Sequence, residues 1–289
     1  MNPIPWMLAL ALPAALHAQT AAPPAAASAP ARVAAHAQHT AHIRSAHVQR
    51  LYERRNTDPA TLVERCRFES DISTAPPRGV VALTFDDGPE PGATEHILAV
   101  LARHQVPATF FLIGQKARAH PELLALMQAQ PGVRLANHSW AHPNFHHLDA
   151  PAQKLEVERS EAEFAPLLTT EPRLFRYPYG NSSCEGNVRL RQLGYRIVGW
   201  HVDSCDWAFD GDGSVDAHEA LSCGVDKPNR HDFLGHVVTA VHERQGGIVL
   251  LHEIHHNTVQ KLDALVQRLK DAGFSFGALD APGFAASLR

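Results

Sequence analysis

From Gly79 onward, short apolar runs alternate with helix-like segments, and that alternation leaves few architectures open. Residues 80–85 read as a strand, since valine, leucine, threonine and phenylalanine crowd between Gly79 and the Gly88-Pro89 turn. A helix is expected over 94–104, a strand over 109–113, a helix over 121–130 and a strand over 133–137. The period continues with a helix over 152–168, a strand over 174–177, a helix over 187–193 and a strand over 196–201. Helices over 231–244 and 259–272, each followed by a strand, at 247–251 and 274–279, complete the series. Repeated βα units build a parallel sheet, and polar motifs fall at the strand C-termini, where an α/β barrel keeps its chemistry. The expected fold class is therefore α/β, a distorted (β/α) barrel.

Three segments are expected ahead of this domain, which is drawn as 72–289. Residues 1–18 hold an apolar run from Trp6 that is too short to span a bilayer and ends in small residues, so they read as a signal peptide cut after Ala18. No Lys or Arg precedes that run. Residues 19–39 are rich in Ala and Pro with His toward the end, a composition that cannot bury apolar surface and serves as a linker. Residues 40–71 show helical periodicity through Ile43, Val48, Leu51, Leu62 and Val63, a helical extension docking on the main domain. The nearby His36, His39, His42 and His47 read as solvated residues on a polar helix, with adventitious metal binding as the alternative.

Charge narrows the partners. Lys and Arg total 26 against 30 Asp and Glu, so no basic excess exists to neutralise a phosphate backbone, and nucleic acid is not expected. No later run reaches the length of a membrane span, so no transmembrane segment is expected in the mature protein. Oligomeric state is not legible. The four cysteines allow three pairings, of which Cys66–Cys184 and Cys205–Cys223 are favoured. The second closes an 18-residue loop, a constraint of about 3 kcal/mol in the chain-entropy model. A four-cysteine zinc site is disfavoured because no C-x2-C spacing occurs. Together with the leader, an even cysteine count points to a secreted or periplasmic protein.

The motifs at the strand ends carry the chemistry. Asp86 and Asp87 are adjacent, and successive side chains on a strand point opposite ways, so one is free to ligate metal while the other takes a proton. His138 and His142, beginning 51 residues after Asp87, are four apart and would face one direction on a helical turn, as a shared ion requires. Two histidines and a carboxylate also suit a non-haem Fe(II) oxygenase, against which the chain offers both a base and an acid.

Five ordered segments, Thr84-Phe85-Asp86-Asp87-Gly88-Pro89, His138-Ser139-Trp140-Ala141-His142, Arg176-Tyr177-Pro178-Tyr179-Gly180, Asp203-Ser204-Cys205-Asp206-Trp207 and Leu250-Leu251-His252, resemble the motifs of the polysaccharide deacetylases. That is the NodB-homology family, also called carbohydrate esterase family 4. The resemblance spans about 79–279 and implies a barrel of the NodB-homology type. It implies metal ligation by Asp87, His138 and His142, with Asp86 as general base oriented by a bidentate contact from Arg176. It further implies oxyanion binding by the Tyr179 main-chain N–H, with His252 as general acid oriented by Asp206 and Asp203 in support. Trp207 is expected to wall the sugar or acetyl methyl, and Leu250 to line the acetyl pocket. Zinc is the expected metal, with Co, Ni or Mn able to use the same ligands. The implied reaction removes N-acetyl groups from GlcNAc-containing polysaccharide or oligosaccharide, either chitin-like or peptidoglycan. An acetylxylan O-deacetylase and a non-catalytic glycan-binding module are the alternatives. The chain departs from the family in Glu253, where Asp is common, and in Cys205, which sits inside the fourth motif. His201, His255 and His256 follow no spacing rule and read as supporting or surface residues.

One further segment, 210–219, matches positions 3 to 12 of an EF-hand loop. Asp210, Asp212, Asp216 and Glu219 would be the calcium ligands and Gly213 the turn, although Ala208 stands at position 1. A plain acidic loop at the groove rim is the alternative reading.

Overall fold

The computed structural model describes residues 66–289 apart from 68 and 73. The expected signal peptide, the linker and all but the last residues of the helical extension lie outside the described residues, as do the four histidines at 36–47. Among the described residues no helix is long and apolar enough to cross a membrane.

An eight-stranded parallel sheet forms the frame. Its strands are β1 (Val80–Gly88), β2 (Ala108–Leu112), β3 (Val133–Asn137), β4 (Arg173–Phe175), β5 (Tyr195–Ile197), β6 (Val202–Asp203), β7 (Gly247–His252) and β8 (Ser275–Phe276). The order across the sheet is β5-β4-β3-β2-β1-β7-β6, with β8 pairing the first residues of β1. Strands β5 and β6 are its two ends, and the sheet is an open half-barrel rather than a closed ring. Outside it lie α1 (Ala93–His104), α2 (Gly114–Ala119), α3 (Pro121–Ala129), α4 (Ala150–Phe164), α5 (Cys184–Gln192), α6 (Ala217–Cys223), α7 (Phe233–Arg244) and α8 (His256–Asp271).

Alternation along each strand divides the apolar residues between two cores. Val81, Leu83, Phe85, Phe110, Leu112, Phe175, Val249 and Leu251 face outward and pack with helix residues such as Ile97, Leu101, Val237 and Leu265. Ala82, Phe111, Ala136, Leu174, Val198 and Ile248 face inward, where Leu279 and Phe284 close the bottom. Burial on both faces explains why β1, β2 and β7 read as continuous apolar runs rather than alternating ones. Following the inward set toward the strand C-termini leads from Ala82 to Thr84 and Asp86, from Ala136 to His138, from Leu174 to Arg176, and from Ile248 to Leu250 and His252.

The expected strand at 196–201 stops at Ile197 in β5, and the chain resumes as β6 just past it, at the opposite end of the sheet. Gly199 lies between them, and a Cβ there would sit 1.7 Å from the Ser70 carbonyl oxygen, so the N-terminal segment crosses the chain at the break. Strand β5 pairs instead with the C-terminus, through the Val198–Leu288 bridge and reciprocal Ile197–Arg289 hydrogen bonds. Helices α2 and α6 were not expected. The first starts two residues after β2, and the second is capped by Asp216, whose carboxylate accepts from the His218 and Glu219 N–H groups. Both disulfides form as paired above: Cys66–Cys184 with Cα atoms 4.9 Å apart, and Cys205–Cys223 with Cα atoms 6.0 Å apart.

Candidate active site

Inward alternation brings Asp86, Arg176 and Thr84 together at the rim, all of them buried. The Arg176 Nη1 donates to Asp86 Oδ1 at 2.8 Å and to Thr84 Oγ1 at 2.8 Å, while Nη2 donates to the Gly199 carbonyl at 2.9 Å. The bidentate contact expected from Arg176 is therefore not formed. One guanidinium nitrogen is shared between the carboxylate and a hydroxyl, and the other holds the strand break, which fixes the carboxylate from one side and leaves Oδ2 directed at His138.

The two aspartates do not point to opposite faces, as simple alternation requires. The β1–β2 register slips between Asp86 and Gly88, and Asp87 adopts φ 73°, a bulge that turns both carboxylates into the site. His138 Nε2 lies 3.6 Å from Asp86 Oδ2 and 3.5 Å from Asp87 Oδ1. His142 Nε2 lies 3.1 Å from the same Asp87 oxygen. Nor are the histidines on a helical turn. Strand β3 ends at Asn137, and positive φ at Ser139 (72°) and His142 (58°) folds 138–142 into a tight loop that converges the rings, 4.9 Å between centroids.

These residues fit a divalent cation. The Asp87 carboxylate is fully buried and meets no donor apart from the two imidazole nitrogens, a costly arrangement without positive charge opposite it. Asp87, His138 and His142 each present a ligand atom within 4.8 Å of the others. His138 Nδ1 donates to the Arg176 carbonyl at 2.7 Å, which leaves the Nε2 lone pair directed inward. Burial favours the neutral carboxyl of Asp87, but His142 and His138 override it and hold the group well below the usual range. Burial lowers His142, against the pull of Asp87, and so favours the uncharged ring. An ionised carboxylate beside a neutral imidazole is the pairing a cation needs.

Opposite stands His252, whose Nδ1 donates to Asp206 Oδ1 at 2.7 Å. The other Asp206 oxygen accepts from the His252 N–H at 2.7 Å and the Thr258 hydroxyl at 2.5 Å. Burial works against charge on the ring, yet Asp206, aided by Asp87 and Asp86, raises it to about 10. Burial likewise opposes ionisation of Asp206, which His252 nevertheless lowers to about 2. Asp203 acts on this pair through its charge, while its Oδ1 accepts from the Cys205 N–H and the Trp207 Nε1–H and so shapes the turn that carries Asp206. Tyr179 adopts φ 58° and places its ring edge against His142, 4.8 Å between centroids.

The crevice is lined by Asp86, Asp87, His138, His142, Tyr177, Tyr179, Gly180, Trp200, Leu250 and His252. Trp207 is not among them. It is completely buried between the sheet and the helices, and Trp200, two residues beyond the inward-facing Val198, supplies aromatic surface instead. Sequence reasoning missed Trp200, Thr84 and Thr258; alternation from Val198 and Asp86 points to the first two, but no spacing rule points to the third. His255 is buried beside His252, 5.4 Å between ring centroids, whereas His201 and His256 lie away from the crevice lining.

The acidic loop 210–219 is tied down by its own hydrogen bonds. Asp212 accepts from the Ser214 N–H and hydroxyl, and Asp216 caps α6. Among the described residues, the groups close enough to share an ion do not include Asp210, Asp212, Asp216 or Glu219.

Glu253 backs the bulge. Its carboxyl is fully buried, accepts from the Thr94 hydroxyl, and is pushed up to about 8 chiefly by burial. A Cβ on Gly88 would lie 1.7 Å from Glu253 Oε1. Gly88→Ala is accordingly expected to destabilise the fold by about 1–3 kcal/mol, the usual range for overpacking, read as a lower midpoint in urea unfolding.

Residues 73–198 match the family model described as polysaccharide deacetylase. A chitooligosaccharide deacetylase of Sinorhizobium fredii is 35% identical over 216 residues, covering 69% of this chain and 89% of that protein. The peptidoglycan-N-acetylglucosamine deacetylase PgdA of Listeria monocytogenes is 29% identical over 200 residues, and the match spans only 38% of that longer protein. Among solved structures, a family 4 carbohydrate esterase from Streptomyces lividans in complex with acetate aligns with TM-score 0.56 and 30% identity, covering 70% of this chain and 93% of that one. The chain belongs to the polysaccharide deacetylase family, a family of hydrolases.

Proposed function

We propose that this protein is a metal-dependent deacetylase that removes N-acetyl groups from GlcNAc-containing oligosaccharide or polysaccharide and releases acetate. One observation carries the reading: a buried Asp87 carboxylate faces two imidazoles and no other donor, with an arginine-held carboxylate on one side and an aspartate-held histidine on the other. Asp87, His138 and His142 would hold a divalent ion, zinc by ligand preference. Bound there, such an ion supplies Lewis acidity toward the acetyl carbonyl and makes water nucleophilic at neutral pH. Asp86, kept in place by Arg176, takes the proton of the attacking water at Oδ2. The Tyr179 main-chain N–H faces the oxyanion that develops on the acetyl oxygen, and Leu250 borders the methyl. His252, protonated through Asp206, delivers its Nε2 proton to the departing amine nitrogen as the C–N bond breaks. Two disulfides suit an oxidising compartment, which supports a secreted or periplasmic site of action.

The test is acetate release from chitooligosaccharides, peptidoglycan and acetylxylan. Chelation is expected to abolish release from an N-acetylated substrate, and Zn or Co to restore it. Release only from acetylxylan would move the assignment to O-deacetylation, and glycan binding without release at any metal loading would make the protein a binding module.

A further inference from the structure

The loop that carries both histidines is a five-residue turn outside any helix, with two residues in the left-handed region. Such a turn leaves successive backbone N–H groups without intrahelical partners, and something must receive them. For Trp140 and Ala141 the receiver is Glu156 on α4: its Oε2 accepts from the Trp140 N–H at 3.1 Å and from the Ala141 N–H at 2.9 Å. Ser139 and Trp140 are also held through their carbonyls, which accept from the Gly114 and Gln115 N–H groups at the start of α2. The indole of Trp140 is buried, with the Arg118 and Arg159 guanidinium carbons 4.5 Å and 4.8 Å from its ring centre. Glu156 thus holds the middle of a segment whose two ends are His138 and His142, from 14 residues beyond the second histidine in the chain.

We propose that Glu156 is a positioning residue that sets the separation and aim of the two imidazoles, and so the affinity of the site for its metal. This rests on the reading that Asp87, His138 and His142 hold that metal. Glu156 lies outside the crevice lining and reaches the site only through the loop backbone. A single carboxylate oxygen accepting two consecutive N–H groups prescribes their spacing, whereas solvent would satisfy each separately and leave the loop free to relax. Removing an outer contact of this kind weakens metal binding by about 10- to 100-fold.

The test is Zn²⁺ affinity of the purified full chain, measured by competition with a chromophoric chelator, which requires no substrate. Glu156→Gln keeps an acceptor oxygen and is expected to bind within about threefold of wild type. Glu156→Leu keeps the volume without an acceptor and is expected to bind about 10- to 100-fold more weakly. Glu156→Asp, which withdraws the oxygen by one methylene, is expected to fall between them and supplies the comparison should the leucine variant fail to fold. His138→Ala is the benchmark. If it binds as tightly as wild type, the assignment of the metal ligands fails, whatever Glu156 does. If it loses the metal while the leucine and aspartate variants match wild type, the role given to Glu156 is overturned.

Discussion

Asp86→Asn is expected to lower the rate of acetate release by about 10²- to 10⁴-fold while leaving metal affinity close to that of the unmodified protein. The substitution is isosteric, and an amide oxygen still accepts from Arg176, so the geometry at 2.8 Å has no steric reason to change. What disappears is the lone pair that takes a proton. Affinity is expected to persist because Asp87, His138 and His142 are untouched. Some stability should be lost, since Arg176 is completely buried and Asp86 lies at ion-pair distance. Steady-state acetate release, chelator competition and a thermal melt separate the three effects. A variant retaining more than a tenth of wild-type turnover would remove Asp86 as the base.

The second large effect is expected from Asp206→Asn, and its signature is a pH profile. With Asp206 ionised, His252 keeps its proton to about pH 10; without that charge, burial pulls the ring back down against the weaker pull of Asp87 and Asp86. The alkaline limb of kcat should therefore move to lower pH, with turnover at neutral pH reduced by about 10²-fold or more as the acid loses both proton and orientation. Stability carries a matching sign. His252 is raised, so its contribution is full below about pH 6.5, the unfolded value, and is lost as pH rises toward 10. Asp206 is lowered, so its contribution is full above about pH 4 and is lost as pH falls toward 2. Wild type should exceed the variant most between about pH 4 and 6.5, measured by urea unfolding across pH. An unchanged alkaline limb would remove His252 from the acid role.

Strand identity was legible because burial on both faces writes unbroken apolar runs, and the motifs lie where those runs stop. What alternation misjudged is local backbone. Asp86 and Asp87 were assigned to opposite faces, and the bulge with φ 73° at Asp87 turns both inward. His138 and His142 were given a helical turn, and two left-handed residues converge them without one. The turn at Ser139 and His142 is held locally by the Asn137 amide and the Ser139 hydroxyl, and from outside the segment by α2 and Glu156, which no spacing rule shows. Trp207 illustrates the opposite failure. The resemblance implies a Trp207 beside the substrate, but the turn ordered by Asp203 sends the indole into the core.

The polar contacts between the main groups of the crevice join distant parts of the chain. Arg176 reaches Asp86 across 90 positions, His252 reaches Asp206 across 46, and His138 reaches the Arg176 carbonyl across 38. No hairpin, single βα unit or terminal fragment contains a proton donor and acceptor already aimed at one point. A partly folded chain has the residues of a hydrolase without its chemistry, and turnover per mole of protein counts only molecules in which the first and seventh strands have already met.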